Sequence, residues 1–207
     1  MNNKYLLVQE ALVFSDKTVY VGMGEFVRNE KPILFITGFS GSGKSTLGKV
    51  LAKKHKAKYI ALDEYIQKRV KGIVQETYEI PDDYDEQAKK IFVNLLKNLH
   101  KLKGKYVIEG IDVLSHIDDR VVADTLSNYP AVIMGLSAMK STYRAVSRDV
   151  AYAREHGAGR ALASLFFLIR GNEVAGGNMY LNKKLKQYTK LMSNTGMNMS
   201  YEEEYNG

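Results

Sequence analysis

The sequence predicts an α/β fold in which helices cover both faces of a central parallel sheet. Short apolar runs typical of buried strands alternate along the chain with longer segments of helical periodicity, and this alternation favours parallel strands. A glycine-rich loop follows the first of the buried runs, at the end of a strand where ligands bind in open parallel sheets. A chain of 207 residues has the length of one domain.

The candidate strands are four apolar runs, at 32–37, 59–62, 106–108 and 131–136. The first contains five consecutive apolar residues, which is typical of a strand buried on both faces. Helical periodicity follows the first three runs, over 46–56, from Pro81 to about Leu102, and less regularly to about Asn128.

Segments outside this core predict the domain organisation. Two β-like runs within 5–28 predict an N-terminal β-hairpin appendage covering 1–30. The main domain is expected to span 31–192, with a helical lid over about 138–171. The polar residues 193–207 are expected to form a flexible C-terminal tail.

Composition excludes several classes of protein. The chain has no cysteine, which excludes a disulfide scaffold, a thiolate zinc site, an iron–sulfur cluster and a cysteine nucleophile. No apolar run approaches the ~18 residues of a membrane span, and the first 14 residues lack the pattern of a signal peptide. We therefore expect a cytoplasmic protein without a membrane partner. The net charge of +7 is compatible with polyanionic partners, although a solvated basic surface is the simpler interpretation.

The strongest motif is GFSGSGKS at 38–45, which fits G-x-x-x-x-G-K-[ST] without a mismatch. Glycines let backbone N–H groups surround phosphate oxygens, and the following helix adds its N-terminal partial charge. Lys44 is expected to reach the β- and γ-phosphates, and the Ser45 hydroxyl to coordinate Mg²⁺. This motif between a strand and a helix predicts a three-layer P-loop NTPase fold. The expected nucleotide-binding residues are Gly38, Ser40, Gly41, Ser42, Gly43, Lys44, Ser45 and Thr46.

Carboxylates follow two other candidate strands, where side chains can face the phosphates. Asp63 is the candidate base for an attacking hydroxyl, although Asp also suits a helix N-cap, and Glu64 is the next candidate. Glu109 is the candidate ligand of a magnesium-bound water or an auxiliary base. Asp112 is better explained as a helix cap.

Arginines after the fourth strand are candidates for the lid. Arg144 and Arg148 are four residues apart, so they share one helix face and could hold phosphates bidentately. A solvated arginine face is the alternative, but the phosphate loop favours a function. Gly157 and Gly159 would suit the hinge of a closing lid.

Taken together, these motifs resemble the P-loop kinases of small molecules and nucleotides. That superfamily includes nucleoside monophosphate kinases, shikimate- and gluconate-type kinases, the zeta-toxin group and polynucleotide kinases. The resemblance implies ATP and Mg²⁺ as cofactors, an acceptor-side base at Asp63 and lid arginines at Arg144 and Arg148. It covers about 32–170 and rests on GFSGSGKST at 38–46, LDEY at 62–65, VIEG at 107–110 and RAVSRD at 144–149.

Three functions are compatible with the motifs. The first is a kinase that moves the γ-phosphate of ATP to a hydroxyl or phosphate of a nucleotide-like acceptor, either free or within a nucleic acid. The second is an ATPase that acts as a switch or motor, and the third is a nucleotide-binding module without turnover. A nucleic-acid acceptor is suggested by lysines at 89–105 and 183–190 beside Tyr106, Tyr180 and Tyr188, although a solvated helix face with core tyrosines is favoured.

Overall fold

The computed structural model describes residues 18–39, 41–70, 81–135, 143, 146–147, 150–151, 180 and 183–202. Within these ranges, six strands form one sheet in the order β3-β4-β2-β5-β1-β6. The strands are β1 Thr18–Val21, β2 Ile33–Gly38, β3 Lys58–Ala61, β4 Tyr106–Glu109, β5 Ala131–Met134 and β6 Met199–Glu202.

The helices lie between the strands and after them. Their bounds are α1 Met23–Val27, α2 Lys44–Lys54, α3 Leu62–Gln67, α4 Tyr84–Lys97, α5 Asp112–Ser115 and α6 Arg120–Leu126, with a 3₁₀ turn at Leu99–Lys101 and a C-terminal helix at 183–193. Helix α4 is the predicted amphipathic helix: Phe92, Leu95 and Leu96 are buried, and its first turn carries the acids that the helix dipole favours.

The parallel part of the sheet confirms the predicted α/β core. Strand β2 pairs in parallel with β4 and β5, and β4 pairs in parallel with β3. All six residues of β2 are buried, as expected for a strand covered on both faces. The register sets Glu109 of β4 level with Ile36 and Ala61 on its two neighbours. The last residue of β4 therefore lies beside the start of the phosphate loop.

Two apolar cores flank the sheet, and β2 contributes to both. Leu34 and Ile36 pack with α1 and α2, whereas Ile33 and Phe35 pack with α3 to α6 and the C-terminal helix. This alternation follows from the two-residue period of a strand. The result is the predicted three-layer arrangement.

Strand β3 differs from the prediction because it lies at an edge of the sheet. The run 59–62 was expected to be a buried strand, but the strand spans Lys58–Ala61, and its residues are exposed or half-buried. Helix α3 begins at Leu62, immediately after the strand. Asp63 therefore lies in the first turn of α3, and Ala61 rather than Asp63 is the N-cap.

The termini differ more strongly from the prediction. Strand β1 joins the central sheet, pairing antiparallel with β5 on one side and with β6 on the other, so it is not part of a separate appendage. The sheet is consequently mixed rather than wholly parallel. Strand β6 falls within 193–207, the segment that was expected to be a flexible tail. The remaining β-like runs of the predicted hairpin, at 5–8 and 12–14, lie outside the described residues.

A pair of truncations tests the role of β6. Deleting 199–207 removes the strand that covers β1, whereas deleting only 203–207 leaves β6 intact. We expect the longer deletion to lower the free energy of unfolding by roughly 2–4 kcal/mol, because several ladder hydrogen bonds at about 1 kcal/mol each are lost. Thermal unfolding measures the difference. Equal melting temperatures for the two truncated chains would show that β6 contributes nothing to the sheet.

Candidate functional site

The phosphate loop connects β2 to α2 through a backbone that needs glycine. Gly41 and Gly43 have φ angles of 76° and 90°, in the left-handed region that glycine adopts without strain. Gly38 lies so close to β5 that a Cβ atom would stand 2.3 Å from the carbonyl oxygen of Met134. Gly43 is the N-cap of α2, so the first amides of an 11-residue helix border the loop.

Two side chains of the loop carry groups suited to phosphate. The Lys44 ammonium donates a hydrogen bond to the carbonyl oxygen of Phe39, with Nζ and O 2.9 Å apart, which holds the cation against the loop. The hydroxyl of Ser42 is buried and has no hydrogen-bond partner in the described part of the chain. Phosphate oxygens would satisfy both groups. Thr46 is exposed on the first turn of α2, and Ser40 lies outside the described residues.

Glu109 lies directly beneath this loop and is 4% exposed. Its Oε1 accepts two hydrogen bonds, one from the Ser45 hydroxyl at 2.9 Å and one from the Tyr59 hydroxyl at 3.2 Å. Its Oε2 is buried and accepts no hydrogen bond from any described residue. Burying a carboxylate oxygen without a partner is costly, so the pair of Ser45 and Glu109 fits a bound cation.

The donor chemistry of this pair fits Mg²⁺. Magnesium prefers oxygen ligands, and it is usually bound through one or two protein groups plus phosphates and water. A serine hydroxyl and one carboxylate match that pattern. Across the described ranges, no three His, Asp or Glu side chains are grouped closely enough to hold a metal ion, so these residues do not form an all-protein metal centre.

Tyr59 is a residue of this site that the sequence analysis missed. Its aromatic ring packs on α2 at Gly48, where a Cβ atom would stand 2.8 Å from Cε2 of the ring. Burial, followed by the charge of Glu109, raises the pKa of Tyr59 to about 12, so its hydroxyl keeps its proton and donates it. A tyrosine in a short strand gives no pattern that could have revealed this contact.

A pair of carboxyl groups, those of Asp63 and Asp112, lies near Glu109. The side chain of Asp112, the first residue of α5, is hydrogen-bonded to Asp63. Burial, and then the charge and hydrogen bond of Asp63, raise the pKa of Asp112 to about 6, and Glu109 adds to the rise. Tyr84, at the start of α4, is half-buried nearby, and burial and the charges of Asp112 and Asp63 raise its pKa.

The structure thus changes the interpretation of Asp112 and Glu64. Asp112 was expected to be a helix cap, but the N-cap of α5 is Ile111, and the Asp112 side chain meets Asp63 instead. Glu64 forms an exposed ion pair with Lys68, with the two charged atoms 3.5 Å apart, and it takes no part in the carboxyl pair. Sequence reasoning could not identify this pairing, because Asp63 and Asp112 are far apart in the chain.

The predicted lid is only sparsely described. Arg144 and Arg148 lie outside the described residues, as do Gly157 and Gly159. Residues 143, 146–147 and 150–151 are helical, and the assignment of a lid to this segment stays a prediction.

The tyrosines proposed to stack with nucleic-acid bases are mostly inaccessible. Tyr106 and Tyr188 are buried in the core, and only Tyr180 of the three is exposed. On α4, Lys89 and Lys90 are paired with Asp119 and Glu86 at 3.0 and 2.7 Å, and Lys184 of the C-terminal helix is buried against Asp118. The favoured interpretation of core tyrosines beside a solvated helix face therefore accounts for these residues.

Comparison with known proteins gives matches to the part of the chain that carries the site. The shikimate kinase family model matches residues 40–109. A shikimate kinase from Bacteroides fragilis is 36% identical over 73 residues, which are 35% of this chain and 37% of that protein. A shikimate kinase from Oceanobacillus iheyensis is 41% identical over 58 residues, 28% of this chain and 31% of the relative. The matched segment thus spans little more than a third of such relatives.

Solved structures give a weaker likeness. A shikimate kinase from Acinetobacter baumannii in complex with shikimate matches 77% of this chain and 83% of that chain, with 15% sequence identity and a TM-score of 0.45. The sheet and the phosphate loop define the class of structure, an α/β fold with a glycine-rich loop between the central strand β2 and helix α2. Residues 40–109 of this chain are similar to shikimate kinases.

None of the described helices combines the length and apolar character needed to cross a bilayer. The cytoplasmic location stays a prediction.

The raised pKa of Asp112 predicts a dependence of stability on pH. Since the folded state holds this proton more tightly than the unfolded state, stability falls as pH rises from about 4 to about 6. Asp112→Asn should therefore raise the free energy of unfolding by on the order of 2 kcal/mol above pH 7. Little gain is expected near pH 4, where the wild-type carboxyl is already neutral.

Denaturant titration of both proteins at pH 4.5 and 7.5 measures this difference. Asp124→Asn, on the exposed face of α6, is the matched control and should show no such dependence. If Asp112→Asn changed the free energy of unfolding equally at both pH values, that result would contradict the raised pKa of Asp112.

Proposed function

We propose that this protein is an ATP-dependent kinase that transfers the γ-phosphoryl group of ATP to a hydroxyl of a small-molecule acceptor. The observation that carries the proposal is the contact between Ser45 of the phosphate loop and the buried carboxylate of Glu109. It joins a complete phosphate-loop motif to an acid at the end of the neighbouring parallel strand. The similarity of residues 40–109 to shikimate kinases supports the same class of reaction.

On the donor side, the loop amides and the Lys44 ammonium bind the β- and γ-phosphates. Ser45 and Glu109 hold Mg²⁺, directly or through water. When bound with ATP, Mg²⁺ neutralises charge on the phosphate oxygens. Ser45 can donate its proton to Glu109 and still present a lone pair to the cation, so the hydrogen bond seen here is compatible with that role.

On the acceptor side, Asp63 receives the proton of the attacking hydroxyl. The new bond forms between the acceptor oxygen and the γ-phosphorus, and the bond from that phosphorus to the β–γ bridging oxygen breaks, which leaves ADP. The side chain of Asp112 contacts Asp63 and therefore lies beside the proposed base. Arg144 and Arg148 are proposed to stabilise the transferring group from the lid.

Shikimate is the first acceptor to test, because the curated relatives are shikimate kinases. The nucleotide-like acceptor expected from the sequence comes next. A nucleic-acid acceptor has less support, because Tyr106 and Tyr188 are buried and several lysines already have acidic partners.

A screen with labelled ATP identifies the reaction. Shikimate, other polyols, nucleosides, nucleotides and short oligonucleotides are each added, and both ADP and phosphorylated product are measured. We expect ADP formation to depend on one small hydroxyl-bearing acceptor, because kinases close on their acceptor before transfer. Equal ATP hydrolysis with and without every acceptor would instead favour the switch or motor ATPase, and binding without any turnover would favour the non-catalytic module.

Lys44→Ala should abolish transfer while the fold is kept. Losing one preorganised charge at the transferring group costs roughly 3–4 kcal/mol, and Lys44, the first residue of α2, lies outside the core. Lys53→Ala, on the exposed last turn of the same helix, is the control and should retain activity. Normal turnover in a folded Lys44→Ala protein would refute the role of the phosphate loop.

Asp63→Asn tests the base. The substitution keeps the size of the side chain and removes its charge, so transfer should fall roughly 10²–10⁴-fold, with ATP affinity nearly unchanged. Steady-state kinetics and nucleotide binding separate these effects. Glu64→Gln changes the neighbouring exposed acid and should leave the kinetics intact. Near-normal transfer by Asp63→Asn would move the base to Glu109.

A further inference from the structure

We propose that Tyr59 is a positioning residue of the magnesium site, which holds Glu109 so that one carboxylate oxygen stays available for the cation or its water. This inference rests on the proposed function. It concerns a residue outside the phosphate-loop motif and outside the acids that follow the strands. The evidence for it is that the two carboxylate oxygens of Glu109 have different hydrogen-bond partners.

The two oxygens of Glu109 have different surroundings. Oε1 accepts hydrogen bonds from both Ser45 and Tyr59, at 2.9 and 3.2 Å. Oε2 has no hydrogen-bond partner among the described residues although it is buried. Two donors on one oxygen fix the rotation of the carboxylate, whereas one donor would leave it free to turn about that contact. The geometry therefore presents Oε2 in a defined direction.

Ser45 alone could not supply this constraint. Its hydroxyl has a single proton and gives Glu109 one hydrogen bond, about which the carboxylate could still turn. Tyr59 adds a second hydrogen bond to Glu109 from a different element, β3, and its hydroxyl also contacts Ser45. Because the Tyr59 hydroxyl is not proposed as a ligand of the cation, its hydrogen bond can hold the carboxylate both before and after the cation enters.

The phenol is itself held rigidly. The backbone of Tyr59 pairs with Val107 of β4, two residues before Glu109, and the ring packs on Gly48 of α2. Lys49 also approaches the ring, with Nζ 6.0 Å from its centroid. Because α2 packs against the ring and β4 holds the backbone, the hydroxyl of Tyr59 has little freedom to leave Glu109.

A purely structural role would need only the ring. Phenylalanine would pack on Gly48 equally well but could not donate to Glu109. Tyr59→Phe therefore separates the two explanations, and Tyr129→Phe is the matched control. Tyr129 packs on Phe35 and precedes β5. It therefore lies at the end of the sheet opposite the phosphate loop.

The test measures metal binding directly, without an acceptor. Mn²⁺ replaces Mg²⁺ as the probe, ADP is held at saturation, and free Mn²⁺ is followed by electron paramagnetic resonance. Tyr59→Phe should weaken the affinity for Mn²⁺ about 10- to 100-fold, the range expected when a hydrogen bond that orients a metal ligand is lost. Affinity for ADP without metal and the melting temperature should stay within error of the wild type. Tyr129→Phe should leave Mn²⁺ affinity unchanged.

A double-mutant cycle with Glu109→Gln makes the test specific. If Tyr59 acts through Glu109, Tyr59→Phe should cause little further loss of Mn²⁺ affinity in the Glu109→Gln background. Wild-type Mn²⁺ affinity in Tyr59→Phe, or full additivity in the cycle, overturns the inference and leaves the proposed kinase activity standing. If the wild-type protein binds no Mn²⁺ with ADP, the proposed function fails together with the inference.

Discussion

The burial of one carboxylate, that of Glu109, is the constraint on which the site depends. Removing a charged group from water costs several kcal/mol unless other groups compensate for it. Here the register of β4 with β2 brings Glu109 level with the start of the phosphate loop. Ser45 and Tyr59 then supply two hydrogen bonds to one of its oxygens. The remaining oxygen leaves a buried negative charge that a divalent cation would balance.

The position of Glu109 also depends on two uncharged residues, Gly48 and Gly110. A side chain at position 48 would collide with the Tyr59 ring, and one at position 110 would stand 2.7 Å from Cβ of Leu62. The carbonyl oxygen of Gly110 accepts a hydrogen bond from the buried Thr37 hydroxyl at 3.0 Å, which links the ends of β2 and β4. The absence of side chains at positions 48 and 110 therefore allows the end of β4 to lie close to the phosphate loop.

The carboxyl groups of Asp63 and Asp112 interact with each other at the same end of the sheet. Burial disfavours the charged form of Asp112, and so do the charge and hydrogen bond of Asp63 and the charge of Glu109. Together they raise the pKa of Asp112 to about 6. Below about pH 6 the Asp112 carboxyl therefore keeps its proton. Asp112 contacts the residue that we propose as the base.

The sequence by itself determined the parallel core and the phosphate side of the site. Consecutive apolar residues in β2, helical periodicity in α4 and the motif at 38–45 are local patterns, and each corresponds to its element in the structure. Tertiary structure alone decided that β1 and β6 extend the sheet antiparallel, because a four-residue strand carries no information about its partner. It also decided that Tyr59 contacts Glu109 and that Asp112 meets Asp63, since residues 49 or 50 positions apart become neighbours only when parallel strands align their carboxyl ends.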